Sequence, residues 1–146
     1  MIVKVRAVIL IDGRLIVANQ LRLGRSELSL PGGRVNRYES VTDALKREVA
    51  EETGLEVVPR SLLYVSEIVQ SVRSHDLELV FLAETSGVPT LNAFKAIDLN
   101  GGERQAIRPP ILEQIARDLA EGWRDTPRWL GNIEHLLRPT GSIGIG

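Results

Sequence analysis

Residues 40–53 constrain this 146-residue chain most tightly, because they spell out a helix with both ends and both faces marked. Val41, Ala44, Leu45 and Val49 recur at the spacing of one helix face. Ser40 is a candidate N-cap, and Asp43 sits in the first turn, where the helix dipole favours an acid. Gly54 stands where a left-handed residue closes a helix. The predicted helix has about four turns. Its other face carries Glu48, Glu51 and Glu52. Successive residues turn by about 100°, so Glu48 has Glu52 at i,i+4 and Glu51 at i,i+3, all pointing away from the apolar stripe. Like charges so placed destabilise a helix by a few tenths of a kcal/mol per pair. Solubility alone would be served by mixing in lysines. Three clustered carboxylates suit a hard divalent cation such as Mg²⁺, which takes oxygen ligands and keeps several waters.

The rest of the chain supplies strands for that helix to pack on. Val3 and Val5 alternate with Lys4 and Arg6, and an apolar run follows to Ile11. Asp12-Gly13 then precedes Leu15-Ile16-Val17-Ala18, a strong hairpin signal, since that pair accepts the positive φ angles of a tight turn. Residues 19–30 read as a polar, Arg-bearing loop ending at Leu30-Pro31-Gly32-Gly33. Residues 62–69 and 77–82 read as strands, the second apolar enough for a sheet covered on both faces. Residues 87–108 read as strand and loop. A second helix follows Pro109-Pro110, with the stripe Ile111, Leu112, Ile115, Ala116, Leu119 and Ala120, and ends at Gly122. The expected class is α/β, a mixed sheet with helices on its faces. The length fits a single domain over residues 1–138, with 139–146 a flexible tail.

Pro31-Gly32-Gly33 lets backbone approach a ligand closely, because glycine has no side chain in the way. Asp43, Arg47 and Glu51 form an i,i+4 ladder in which Arg47 can hold a carboxylate in place. Charge is unevenly distributed within a net −1. Residues 22–37 carry +3, from Arg22, Arg25, Arg34 and Arg37 against Glu27, while residues 39–56 carry −4. Arginine clamps phosphate with paired hydrogen bonds. Carboxylates that hold a metal beside arginines form the arrangement phosphoryl chemistry needs.

The spacing Gly33, Glu39, Arg47, Glu48, Val49, Glu51, Glu52, Gly54, Leu55 resembles the Nudix box, G-x5-E-x7-R-E-U-x-E-E-x-G-U with U a bulky aliphatic residue. Every fixed position matches, and such a match arises by chance at ~10⁻⁹ or less per starting point. The box covers 23 of the 146 residues. The resemblance implies a Nudix-type α/β/α sandwich with a mixed β-sheet between helices. It also implies a pyrophosphohydrolase that cleaves the diphosphate linkage of a nucleoside diphosphate derivative with Mg²⁺, or Mn²⁺ in its place. Carried over by position, Glu48 and Glu52 become metal ligands, Glu51 a further ligand or a contact to metal-bound water, and the Gly33 carbonyl a backbone ligand. Arg47 orients the glutamates, and Glu39 supports the geometry of loop and helix. Glu52 and Glu48 are both candidates for the catalytic base, as are Asp98 and Glu103 in the later stretch 96–105. Arg22, Arg25, Arg34 and Arg37 are the candidate substrate contacts.

The substrate is less constrained. The proline that ADP-ribose-specific relatives carry about fifteen residues past the box is replaced by Gln70, and no tyrosine marks a dinucleoside polyphosphate site near Ser71. Nucleoside triphosphates or nucleotide sugars are the default. Two other readings compete. One is a non-catalytic nucleotide-binding sensor, which the intact box opposes. The other is a hydrolase of RNA 5′ ends, which the lack of a broad basic surface opposes. His75 and His135 read as exposed and uninvolved, Phe81 as core, and Trp123 as packing or as a platform for a base. Trp129, Leu130, Ile133, Leu136 and Leu137 are candidates for a homodimer contact. No apolar run is long enough to span a membrane, no signal-peptide core is present, and there are no cysteines, all of which fits a cytoplasmic location.

Overall fold

In the computed structural model, which describes residues 1–88, 94–100 and 106–137 and only the backbone of Gln20 and Arg22, the N-terminal apolar runs turn back on themselves at Asp12 and Gly13. Both residues have positive φ, 51° and 76°, as the hairpin signal requires. In chain order the elements are β1 (Ile2–Val8), β2 (Leu10–Ile11), β3 (Arg14–Arg22), β4 (Arg25–Ser29), β5 (Gly32–Arg34), α1 (Val41–Thr53), β6 (Val58–Ser71), β7 (Ser74–Glu84), β8 (Phe94–Asp98), β9 (Ile107–Arg108), α2 (Leu112–Glu121) and β10 (Arg128–Asn132). A short 3₁₀ turn at Glu134–Leu137 follows.

The strands form two sheets. One runs β10-β6-β7-β1-β5, with β1–β7 and β10–β6 parallel and the other pairs antiparallel, so it is mixed as expected. The second runs β2-β3-β4-β9, with β8 on the free side of β3. Alternation along the strands sends side chains to two cores. Val5, Ala7, Ile9 and Ile16 join Ala44, Leu45 and Val49 of α1 on one side. Val8, Leu15, Val17, Leu63, Tyr64 and Val80 join Ile115 of α2 on the other. Burying Leu45 and Val49 contributes about 1.5–3 kcal/mol each, which fixes the rotation of α1 and leaves its glutamate face outward. The polar contact of α2 is a surprise: Asp118, in the middle of the helix, is buried and accepts a hydrogen bond from the Tyr64 hydroxyl at 2.7 Å.

Several expectations need correction. Residues 19–30 are not a loop, because the β3–β4 hairpin fills them. Its turn is Leu23-Gly24, with φ of 52° and 76°, and only the glycine announced it. β10 carried no strand signal, since it is only five residues long, four of them paired with β6 and none fully buried. His75, expected to be exposed, lies half-buried on β7, and its ring bonds Glu67 at 2.6 Å. The suggested homodimer stripe largely serves this chain's own core. Ile133 is buried, Leu130 and Leu137 pack against the same cluster, and only Trp129 and Leu136 are exposed. Ala120, assigned to the apolar stripe of α2, is exposed. Trp123 packs against the core, as the simpler of its two readings has it. The tail at 139–146 lies outside the described residues. Among the described residues no helix is long and apolar enough to cross a membrane.

Candidate functional site

The site is built where α1 meets the edge strand β5. Ser40 caps the helix, its hydroxyl accepting from the Asp43 backbone N–H at 3.1 Å. Gly54 closes it in the left-handed region at φ 77°, donating to the Ala50 carbonyl at 3.0 Å. Both ends are therefore fixed, and the turn bearing Glu48, Glu51 and Glu52 is set against Gly32 and Gly33.

Arg47 organises that turn. Its strongest partner is not in the predicted i,i+4 ladder but eight residues back. Nε and Nη2 donate to the two oxygens of Glu39 at 2.7 and 2.9 Å, a bidentate fork. Nη1 donates to Glu48 at 2.9 Å, and Nη2 to the Arg34 carbonyl at 3.1 Å. The predicted contact to Glu51 is long, 3.5 Å, and Asp43 takes no part. The fork from Arg47, reinforced by the Asn36 backbone N–H, holds the Glu39 carboxyl down at about 2. Arg47 is pushed above its ordinary range, first by Glu39 and then by Glu48. Glu39 supports the loop and helix, as the resemblance implied. It also anchors the arginine that steadies Glu48.

The two glycines are required by close approach. A Cβ at Gly32 would fall 1.9 Å from the Val5 carbonyl oxygen, and its φ of 149° is one that side chains rarely adopt. A Cβ at Gly33 would sit 2.7 Å from the Glu48 carboxyl carbon. The Gly32 N–H donates to Glu52 at 3.1 Å. Backbone and carboxylates thus share one small space. Glu51, the third carboxylate, is the most exposed. Among the described residues no three acidic or histidine side chains form a ready-made metal cage. The donors present are carboxylate and carbonyl oxygens, and the Gly33 cradle would be filled by any side chain. That fits a hard divalent cation that keeps several of its waters.

The other candidates are dispersed. Arg37 is exposed in the loop before α1. Arg25 is exposed at the tip of the β3–β4 hairpin, paired in register with Arg22, whose side chain lies outside the described residues. Arg34 lends its carbonyl to Arg47, while its side chain lines a cleft of about 210 Å³. Asp98 accepts from the Asn100 backbone in a turn, and Glu103 lies outside the described residues.

Sequence reasoning passed over that cleft. Lys4, Arg6, Glu78 and Arg108 line it with Arg34. Arg6 sits 3.7 Å from Glu78 and donates to the Leu30 and Gly32 carbonyls at 3.2 and 3.3 Å. Their one signal is a charged residue inside each of two apolar strands, Val5-Arg6-Ala7 and Leu77-Glu78-Leu79.

The comparisons with known proteins point one way. The NUDIX domain family model matches residues 1–126. An 8-oxo-dGDP phosphatase, NUDT18, from Danio rerio is 45% identical over 58 residues, 40% of this chain and 17% of that protein. An ADP-ribose pyrophosphatase from Methanocaldococcus jannaschii is 34% identical over 102 residues, 69% of this chain and 57% of its own length. The chain therefore spans less than two thirds of either relative. The crystal structure of a MutT NUDIX hydrolase from Burkholderia pseudomallei superposes with a TM-score of 0.67 at 27% identity, covering 78% of this chain and 97% of that one. With a family model covering most of its length and the complete box folded as capped helix, glycine cradle and arginine fork, the chain belongs to the Nudix family.

Proposed function

We propose that this protein is a metal-dependent pyrophosphohydrolase acting on nucleoside diphosphate derivatives. The observation that carries the reading is the pairing of the helix carboxylates with the glycine backbone: Glu52 tied to the Gly32 N–H, and Glu48 filling the space that a side chain at Gly33 would need. Glu48 and Glu52, with Glu51 and the Gly33 carbonyl, would hold Mg²⁺, or Mn²⁺ in its place. A divalent cation held there would supply positive charge to neutralise phosphate and to acidify water. Arg47 keeps Glu48 oriented through its anchor on Glu39. Glu52 or Glu48 takes the proton of the water as it adds in line to phosphorus, and the P–O bond of the diphosphate bridge breaks. Asp98 is a weaker base candidate because its carboxylate already holds a turn. Arg37, exposed in the loop between β5 and α1, neutralises the departing phosphate oxygens.

The relatives named above support the substrate class. 8-oxo-dGDP and ADP-ribose differ in base and in the group beyond the diphosphate, but both carry a diphosphate on a nucleoside. Nucleoside triphosphates and nucleotide sugars share that unit. The test is a screen of nucleoside diphosphate derivatives with Mg²⁺ or Mn²⁺, reading phosphate or monophosphate release, run beside Glu52→Gln. The wild type turns over at least one compound, and the variant loses at least about a hundredfold while keeping its melting temperature. Near-wild-type turnover by the variant would remove Glu52 from the site. No hydrolysis of any compound with either metal would favour a nucleotide-binding sensor.

A further inference from the structure

Gly32 is held from two directions. It stands opposite Arg6 in the antiparallel register of β1 and β5, one step from the bond between the Ala7 N–H and the Pro31 carbonyl at 2.8 Å. In such a pair, bonded positions alternate with positions whose backbone groups both turn outward. β5 is the edge of its sheet, so no further strand meets the outward groups of Gly32. Side chains meet them. The N–H goes to Glu52 at 3.1 Å. The carbonyl goes to Arg6, whose Nη1 donates to Gly32 at 3.3 Å and to Leu30 at 3.2 Å. The carbonyls of Leu30, Pro31 and Gly32 are thus all occupied. The backbones are close enough here that a Cβ at Gly32 would meet Arg6 Cα at 2.8 Å.

Arg6 reaches this strand from the side of the sheet opposite α1. Its neighbours Val5 and Ala7 pack with Ala44 and Leu45 of the helix, and alternation sends Arg6 to the cleft. The other charged residues lining the cleft are Lys4, Arg34, Asp76, Glu78 and Arg108. Lys4 is paired with Asp76 at 2.9 Å and Arg108 with Glu27 at 3.3 Å, while Arg34 is exposed. Glu78 is 2% exposed and stands 3.7 Å from Arg6 Nε. An arginine placed only to neutralise a buried acid closes on it, as Arg128 closes on Asp118 at 3.1 Å. Here Arg6 Nε and Glu78 Oε2 both go without a hydrogen bond among the described residues, while Nη1 keeps its two carbonyls. Leaving buried polar atoms unpaired is costly. The pair bears that cost for the grip on the glycine strand.

We infer that Arg6, with Glu78 as its counter-ion, is a positioning residue of the metal site and fixes the Gly32–Gly33 peptide against which the helix glutamates are set. The Gly32 carbonyl belongs to that peptide, and the Glu48 carboxyl carbon lies 2.7 Å from where a Gly33 Cβ would stand. Arg47 steadies Glu48 from the helix side and takes the Arg34 carbonyl. Arg6 holds the same strand from behind. Residues that orient metal ligands without touching the metal commonly change its affinity by about 10- to 100-fold when removed. This inference rests on the proposal that the glutamates bind a divalent cation.

Mn²⁺ alone is the probe, with the free ion counted by electron paramagnetic resonance and Tm measured on the same preparations. Arg6→Met keeps much of the side chain's length and removes its donors. It should bind Mn²⁺ about 10- to 100-fold more weakly than wild type. One nitrogen makes both carbonyl bonds, so Arg6→Lys should recover the affinity to within about threefold of wild type, which a two-pronged fork would not allow. A lower Tm with unchanged Mn²⁺ affinity in Arg6→Met makes Arg6 a purely structural residue and overturns the inference. A raised substrate KM with unchanged Mn²⁺ affinity makes it a substrate contact and also overturns it. So does Arg6→Lys binding as weakly as Arg6→Met. Where Arg6→Met fails to fold, Glu78→Gln decides: Mn²⁺ affinity weakened by about threefold or more sustains the inference, and wild-type affinity overturns it. A wild type that binds no Mn²⁺ overturns the metal reading itself, whereas a wild type that binds Mn²⁺ no better than Arg6→Met overturns this inference alone.

Discussion

Each helix is held by an arginine–carboxylate network, and the two differ in what they leave available. On α2, Asp118 is buried and engaged on every side. Tyr64 donates to it at 2.7 Å, Gln114 at 3.1 Å, and Arg128 through two nitrogens at 3.2 and 3.1 Å. On α1, Arg47 spreads over Glu39, Glu48 and the Arg34 carbonyl at the surface, and Glu51 stays largely exposed. The first network is closed and ties α2 to β6 and β10. The second steadies its carboxylates while leaving them oxygens with which to meet a ligand. A carboxylate cluster serves chemistry when its partner orients it without saturating it.

The comparison breaks most visibly at Asp118. Burial works to raise its pKa, and the bonds from Tyr64, Gln114 and Arg128 outweigh that and leave it lowered. The Tyr64 hydroxyl is raised, first by burial and then by Asp118. Asp118→Ala leaves a buried hydroxyl and a guanidinium without their acceptor, at a cost of about 2–3 kcal/mol. Thermal unfolding should show Tm falling by roughly 5–10 °C, with kcat per folded molecule retained. Lost activity at unchanged Tm would mean that α2 serves the reaction rather than the fold.

Arg47→Lys probes the opposite case. Lysine keeps the charge but cannot fork onto Glu39 while reaching Glu48 and the Arg34 carbonyl. Metal affinity and turnover should fall by about 10- to 100-fold, with a smaller Tm change than at Asp118. Calorimetric Mn²⁺ titration and kcat on the same preparations separate the two. If Arg47→Lys lowers Tm as much as Asp118→Ala and leaves Mn²⁺ binding intact, the two networks have the same job.

The difference between the networks also explains what the sequence made legible. Ser40, Gly54 and the stripe of Ala44, Leu45 and Val49 act within one helix, so local spacing foretold the capped helix and its outward glutamates. The match to the Nudix box extended that to Gly33 and Glu39. Asp118 meets Tyr64 across 54 positions, and Glu78 meets Arg6 only because β1 and β7 lie parallel in a particular register. No spacing rule reaches that far. In sequence, an acid inside an apolar run looks like noise, and it becomes a clue only once the sheet shows that its face is covered. The Leu23-Gly24 hairpin was missed for a local reason: a leucine at positive φ is rare, and its neighbours Arg22 and Arg25 mimic a polar loop.

The smallest effect comes from acid titration, and its sign follows from Glu39. Its carboxyl ordinarily titrates near 4.5, and Arg47 holds it at about 2 in the fold. A depressed carboxylate lends stability that is fully present above the unfolded value and is lost as pH falls toward the folded one. Glu39→Gln keeps the size of the side chain and removes its charge. Wild type should therefore melt above Glu39→Gln at pH 6, and the gap should close progressively between about pH 5 and pH 2. Asp118, also lowered but not altered in this pair, contributes equally to both proteins and cancels from the difference. A gap that stays constant down to pH 2 would mean that the Arg47–Glu39 fork orients the site without stabilising the fold, and would separate the two networks further.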